Sequence, residues 1–195
     1  MASNPLIGTW RLLSWENRSV EDGQLSYPLG EDATGYIIYN DDGYMFVAIM
    51  APHRLRFAHD DLLSATKEEE TLAEETYLSY CGRYDFLGDR VVHHVELNLF
   101  PNWIGGDQER LVDLRGERLT LSTRALLPRG IQQTAHLNWE RLSKSKQKAL
   151  IHPSAWKGNS QKSISTILHS LPLRERRMTY FPALELIAKH KIWEQ

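Results

Sequence analysis

Residues 36–50, YIIYNDDGYMFVAIM, contain the pattern on which the fold assignment rests. Two runs rich in aromatic and aliphatic side chains flank the polar segment 40–43. Such runs on either side of an Asn/Asp/Gly turn predict a β-hairpin, because these turn residues tolerate the backbone angles that reverse a chain between antiparallel strands. We therefore predict strands over 36–39 and 44–50.

The strand pattern continues on both sides of this hairpin. One helix interrupts it, since Thr66 and Glu69 have the spacing of a capping box that would begin a helix over 67–75. About eight strands joined by short turns predict an all-β fold, an antiparallel up-and-down barrel with one short helix over a mouth. Closing the sheet removes its open edges. A β-sandwich is the alternative. The further strands are predicted over residues 6–20, 77–86, 91–100, 108–114, 118–123 and 131–142.

Charge divides the 195 residues into two segments. Residues 1–142 hold 13 Lys and Arg against 22 Asp and Glu, whereas residues 143–195 hold 10 against 3. We predict a β-barrel domain over 1–142 and a basic C-terminal extension over 143–195, made of a linker and short helices. The basic charges of the extension are scattered rather than clustered, so no nucleic-acid partner is expected.

Composition argues against several other classes of protein. No apolar run approaches the roughly 18 residues of a membrane helix, so no membrane partner is expected. The single cysteine, Cys81, cannot form an internal disulfide. Together with a first segment that lacks the features of a secretory signal, it predicts a cytoplasmic location. The sequence contains no phosphate loop, dinucleotide fingerprint or zinc-ligand spacing, so we expect neither a cofactor nor a metal.

Two adjacent histidines lie in the predicted strand over 91–100. Because a strand alternates its faces, His93 shares the apolar face with Val95 and Leu97, and His94 lies on the other face. His93 should point into the barrel. It is either a core histidine held by a tyrosine hydroxyl or buried water, or an acid/base or hydrogen-bond donor in a cavity. His94 is expected to be a solvated surface residue.

The other candidate cavity residues are aromatic or cationic. Tyr80 and Tyr84 share an inward face, where a hydroxyl either completes the core or orients a polar ligand. Arg110 follows a loop that contains Trp103. It is either an exposed arginine or a cavity cation that binds a carboxylate or enolate oxygen through two N–H groups.

The segment from Gly8 to Ser14, GTWRLLS, resembles the Gly-x-Trp opening of lipocalins and related calycin barrels. In those barrels the tryptophan closes one end, and an arginine of the last strand packs over it. The resemblance implies that Trp10 and Arg141 form this barrel plug. An arginine stacked over an indole is also physically favourable.

A wider set of motifs resembles the lipocalin-like domain family of bacteria and fungi, some of whose members are encoded beside natural-product biosynthesis enzymes. The resemblance covers residues 4–142 and implies a compact single-domain barrel. Members usually end soon after the Trp-x-Arg strand, so residues 143–195 have no counterpart. Besides the Gly-x-Trp opening, the matching motifs lie at 35–36, 42–45, 80–84, 93–96, 100–105 and 108–110.

These observations lead to two functional hypotheses and one alternative without a ligand. In the first hypothesis the barrel binds a small, partly apolar molecule between Tyr80, Tyr84, His93, Trp103 and Arg110. In the second it is a cofactor-independent isomerase, cyclase or dehydratase acting on a polyketide- or terpenoid-like metabolite. His93 would then move the proton, and Arg110 or Tyr84 would stabilise an enolate. Otherwise the barrel is filled and acts through its surface or its C-terminal extension.

The sequence leaves three alternatives for the basic C-terminal extension. We expect it to dock on the barrel, to pair with a second subunit in a homodimer, or to be mobile.

Overall fold

A computed structural model describes residues 4–61, 63–125 and 131–142. The predicted basic extension over 143–195 lies outside the described residues. The described chain folds into an antiparallel sheet in which every strand except a two-residue addition belongs to one closed barrel. The strands are β1 (Gly8–Ser19), β2 (Leu25–Ser26), β3 (Thr34–Tyr39), β4 (Tyr44–Met50), β5 (Tyr77–Phe86), β6 (Arg90–Asn98), β7 (Asp107–Arg115), β8 (Arg118–Ser122) and β9 (Gln133–Arg141).

Pairing of the first and last long strands closes the sheet. From β3 to β9 each strand pairs with its successor, β1 pairs with β3, and β9 returns to pair with β1. Short β2 adds only two residue pairs at one end of β1. The predicted up-and-down barrel of about eight strands is therefore confirmed, and the sandwich alternative is wrong.

The one α-helix, α1 (Lys67–Glu75), lies in the connection between β4 and β5. Its capping box forms as predicted. The Thr66 hydroxyl accepts from the backbone N–H of Glu69, and the Glu69 carboxylate accepts from the backbone N–H of Thr66. Two free backbone donors at the start of the helix are thereby satisfied, which explains why the helix begins at Lys67.

One end of the barrel is closed by a tryptophan under an arginine. Trp10 is fully buried, and its indole N–H donates to the carbonyl of Leu6 at 2.8 Å. The Arg141 guanidinium lies 4.0 Å from the centre of the Trp10 ring and donates to the carbonyls of Pro5 and Ile7. The arginine therefore ties the N-terminal segment to the last strand.

A β-bulge breaks the predicted alternation in β6. Gly82 pairs with Val95, but the preceding Cys81 pairs with Leu97, so Glu96 is an extra residue in β6. Beyond the bulge the faces are exchanged, and Leu97 is 66% exposed instead of facing the core. A Cβ at residue 82 would collide with the backbone carbonyl of His94, so the close approach requires glycine.

Candidate ligand-binding site

The barrel encloses a cavity of about 300 Å³. Inward-facing residues of several strands form its wall, because alternate positions of each strand point to the barrel interior. Most of the wall surface is apolar, but charged and polar side chains of β7 and of the segment after β8 also line it, among them Asp107, Gln108, Glu109, Arg110 and Arg124. The apolar lining includes Trp15, Ile37, Val47, Leu121, Leu137 and Trp139.

His93 is buried in the middle of a row of tyrosines. Its Nε2 lies 2.8 Å from the Tyr39 hydroxyl, and its Nδ1 lies 2.9 Å from the Tyr80 hydroxyl. Burial lowers the pKa of His93 well below 6.5, and the positive charge of Arg110 lowers it further. His93 is therefore a neutral imidazole at neutral pH, with both ring nitrogens already engaged.

Arg110 lines the same cavity as His93 and Tyr80. Its guanidinium donates to the backbone carbonyl of Glu109 at 2.8 Å and to the Gln108 side chain at 3.1 Å. Burial raises the pKa of Tyr80, and Arg110 beside the phenol opposes this shift. Within the described part of the chain, no carboxylate forms an ion pair with Arg110, so its charge is available to a ligand.

The 3₁₀ helix Pro101–Trp103 brings Trp103 into the cavity wall. The Trp103 and Tyr80 rings meet edge to face, with their centres 5.7 Å apart. This contact supports the ring of Tyr80 without using its hydroxyl. Tyr80, His93, Trp103 and Arg110 thus line one cavity.

Tyr84 lies elsewhere, which corrects its expected place in the cavity. Its ring is buried, but it packs against Tyr39 near the closed end, and it is not among the residues that line the cavity. Its hydroxyl donates to the Asn40 carbonyl at 2.8 Å and accepts from the Asn4 side chain at 3.1 Å. Alternation predicts that a side chain points inward but not how far along the barrel axis it lies.

Sequence reasoning did not assign Tyr39 and Asn17 to the site. Tyr39 is buried and bonded to His93, and Asn17 lines the cavity, where it accepts from the indole N–H of Trp15 at 3.2 Å. Both lie two residues from an apolar residue on the same strand face, so alternation marks them as inward. Their partners, however, depend on strand pairing.

His94 lies on the outside of the barrel, next in sequence to His93. Its Nδ1 is 2.7 Å from an Asp107 oxygen and its Nε2 is 2.9 Å from an Asp85 oxygen. Hydrogen bonds to Asp85 and Asp107 raise the pKa of His94. This cluster is an ion network on the outside of the barrel, and its Asp107 also lines the wall of the cavity, whereas His94 and Asp85 do not line it.

Among residues 4–61, 63–125 and 131–142, no group of three or more His, Cys, Asp or Glu side chains is arranged to hold a metal ion. The same residues include no helix long and apolar enough to cross a membrane.

Comparison with known proteins identifies the family. The family model of the lipocalin-like domain matches residues 7–142. This chain belongs to the lipocalin-like domain family. The match runs from the residue before β1 to the residue after β9, so it covers the whole lipocalin-like barrel.

The lipocalin-like barrel is also similar to a curated fungal protein. It is 38% identical over 107 residues to the 4′-hydroxy-3′-methoxypropiophenone carrier protein ppsC of Aspergillus oryzae, a match that covers 50% of this chain and 96% of that protein.

Two solved structures are more distant. An uncharacterized Bacteroides eggerthii protein has 13% identity and a TM-score of 0.39, over 69% of this chain and 98% of its own. The Klebsiella pneumoniae lipoprotein YedD has 12% identity and a TM-score of 0.32, over 81% and 92% respectively. Neither similarity bears on function.

Proposed function

We propose that this lipocalin-like protein binds a small, partly apolar molecule inside its barrel. The observation that carries the proposal is the cavity of about 300 Å³ with a mostly apolar wall. Ligand cavities in proteins span about 300–1,000 Å³, so this one suits a compact molecule built around a single ring better than a long lipid.

The relative in Aspergillus oryzae supports this proposal. Its name describes a carrier of 4′-hydroxy-3′-methoxypropiophenone, a single-ring aromatic ketone, and this chain covers 96% of its length. A binding role needs only a shaped apolar cavity with a few polar groups to orient the ligand. Tyr80 and Arg110 supply such groups here.

Ligand binding is better supported than a catalytic reaction in which His93 acts as the acid or base. His93 and Arg110 do line one cavity, as a cofactor-independent enzyme would require. Both ring nitrogens of His93, however, are occupied by tyrosine hydroxyls, and its pKa is lowered. An acid/base residue must reach the substrate proton directly or through one water, and neither nitrogen is free to do so.

Calorimetric titration of the full chain with 4′-hydroxy-3′-methoxypropiophenone tests the proposal. We expect saturable binding with one molecule per chain. Ala135→Phe fills part of the cavity wall and should abolish binding, because Ala135 lines the cavity. The matched control is Ala48→Phe, since Ala48 lies between buried neighbours on the outer face of β4.

The control variant should bind like the unmodified protein. Equal binding by the two phenylalanine variants would rule out ligand binding in the cavity, and absence of any saturable heat with the unmodified protein would rule out this ketone as its ligand.

A further inference from the structure

The Tyr39 hydroxyl determines where the proton of His93 lies. Tyr39 is 1% exposed and does not line the cavity. In the described part of the chain its hydroxyl has one hydrogen-bond partner, Nε2 of His93. If Nε2 carried the imidazole proton, Tyr39 would accept it and its own O–H would be buried without an acceptor. That arrangement costs about 1–3 kcal/mol, so Tyr39 donates to a bare Nε2.

The direction of this first bond sets the direction of the second. A neutral imidazole carries one proton, so a bare Nε2 places the proton on Nδ1. Nδ1 then donates to the Tyr80 oxygen 2.9 Å away. Tyr80 therefore cannot use its own O–H on His93, and that O–H is left for another acceptor. Because Tyr80 lines the cavity, the acceptor it meets there is a ligand atom or solvent.

Arg110 adds a second donor beside Tyr80. Arg110 lines the same cavity as Tyr80, its positive charge opposes the rise in the pKa of Tyr80, and no ion pair joins it to a carboxylate among the described residues. The cavity thus presents an O–H and a cationic N–H within a mostly apolar wall surface. An O–H and an N–H donor together match an oxygen with two lone pairs.

We infer that the bound molecule presents a carbonyl oxygen to Tyr80 and Arg110, and that Tyr39, acting through His93, holds the Tyr80 hydroxyl in its donating direction. This inference rests on the proposed function, because it names the ligand group that the same cavity recognises. Tyr80 and Arg110 touch the ligand, whereas Tyr39 and His93 are positioning residues.

Two probes of nearly equal shape test the inference. Propiophenone and propylbenzene share a ring and a three-carbon chain but differ by one carbonyl oxygen. We expect the unmodified full-length protein to bind propiophenone at least about threefold more tightly, as one or two net hydrogen bonds provide. Tyr80→Phe should remove most of this preference and leave the affinity for propylbenzene within about twofold.

Tyr39→Phe is the sharper variant, because residue 39 lies outside the cavity lining. Without the Tyr39 hydroxyl, the two neutral tautomers of His93 become similar in free energy. In the fraction of molecules that carries the proton on Nε2, Tyr80 donates to Nδ1 instead of to the ligand. The preference for propiophenone should fall by about twofold, because about half of the molecules keep the donating Tyr80 hydroxyl. A purely structural role for Tyr39 would lower the affinity for both probes together, so an unchanged ratio would overturn the inference.

Nitrogen chemical shifts of the His93 imidazole report the tautomer directly. We expect a protonated Nδ1 and a bare Nε2 in the unmodified protein, and a mixture of the two tautomers in Tyr39→Phe. The His93 signals are assigned by their loss in His93→Gln. A protonated Nε2 in the unmodified protein would overturn the inference.

The results also separate this inference from the proposed function. Equal binding of both probes would leave the proposed function standing and overturn the carbonyl preference. Absence of binding by both probes and by 4′-hydroxy-3′-methoxypropiophenone would overturn the proposed function, and the inference with it.

Discussion

His93 and His94 are adjacent in the chain and have opposite chemistry. Each uses both ring nitrogens, but His93 bonds to two tyrosine hydroxyls inside the barrel and His94 to two carboxylates on its surface. His93 is 1% exposed, whereas the side chain of His94 is 39% exposed. Burial lowers the pKa of the first, and hydrogen bonds to Asp85 and Asp107 raise the pKa of the second.

The difference shows that residue type alone does not set the role of a histidine. A strand turns successive side chains to opposite faces, so one step along β6 exchanges a low-dielectric interior for solvent. In the interior the neutral imidazole can relay a hydrogen-bond direction between two tyrosines. At the surface the imidazole of His94 joins a solvent-screened network with two carboxylates that contributes little to stability.

His93→Ala should have the largest effect on stability. It removes a buried ring and leaves the hydroxyls of Tyr39 and Tyr80 without their shared partner. We expect a loss of about 3–5 kcal/mol in the free energy of unfolding, measured by denaturant titration. A loss below about 1 kcal/mol would show that water replaces the imidazole and that the buried row is not a structural unit.

Gly82→Ala should have the next largest effect, because it disturbs the backbone that separates the two environments. The added Cβ would collide with the carbonyl of His94, which cannot move without breaking the bulge. We expect a loss of about 1–3 kcal/mol on denaturant titration. The control is Cys81→Ala, one residue away on the outer face, which should stay within about 0.5 kcal/mol. Equal effects of the two variants would contradict the close approach.

The contributions of His93 and His94 to the free energy of unfolding should depend on pH in opposite directions. As pH falls below 6.5, His93 binds a proton in the unfolded chain but stays neutral in the folded protein, because burial lowers its pKa. Its contribution to the free energy of unfolding therefore decreases as pH falls. The His94 contribution is fully present below 6.5 and is lost as pH rises through its raised pKa. Each slope is at most about 1.4 kcal/mol per pH unit.

Unfolding titrations of His93→Gln and His94→Gln across this range measure these contributions. The free energy of unfolding of the unmodified protein, relative to that of His93→Gln, should decrease as pH falls. The free energy of unfolding of the unmodified protein, relative to that of His94→Gln, should decrease as pH rises. Parallel slopes for the two variants would mean that the two histidines share one electrostatic environment.

His94→Gln should have the smallest effect at neutral pH. Exposed ion pairs contribute about 0–1 kcal/mol, and salt screens them. The loss should therefore be below about 1 kcal/mol in dilute buffer and smaller still in concentrated salt. A larger loss that salt does not reduce would place His94 in a structural role comparable to that of His93.

Local features of this chain could be predicted from the sequence. The hairpin over 36–50 and the helix over 67–75 depend on turn and capping residues within a few positions of each other, and the structure confirms both. Alternation also assigned His93 to the inside and His94 to the outside. It failed at Leu97, because the bulge arises from the pairing of β6 with β5 and leaves no mark within β6.

The sequence thus determined the barrel and the inward direction of its candidate site residues, since periodicity and turns are local properties. Only the tertiary structure decided which inward side chains line the cavity and which of them are hydrogen-bonded to one another. It joins Tyr39, His93 and Tyr80, which come from three strands, and it leaves Tyr84 at the closed end. The physical reason is that strand register and barrel closure set height along the axis and hydrogen-bond partners, and both arise from contacts between distant parts of the chain.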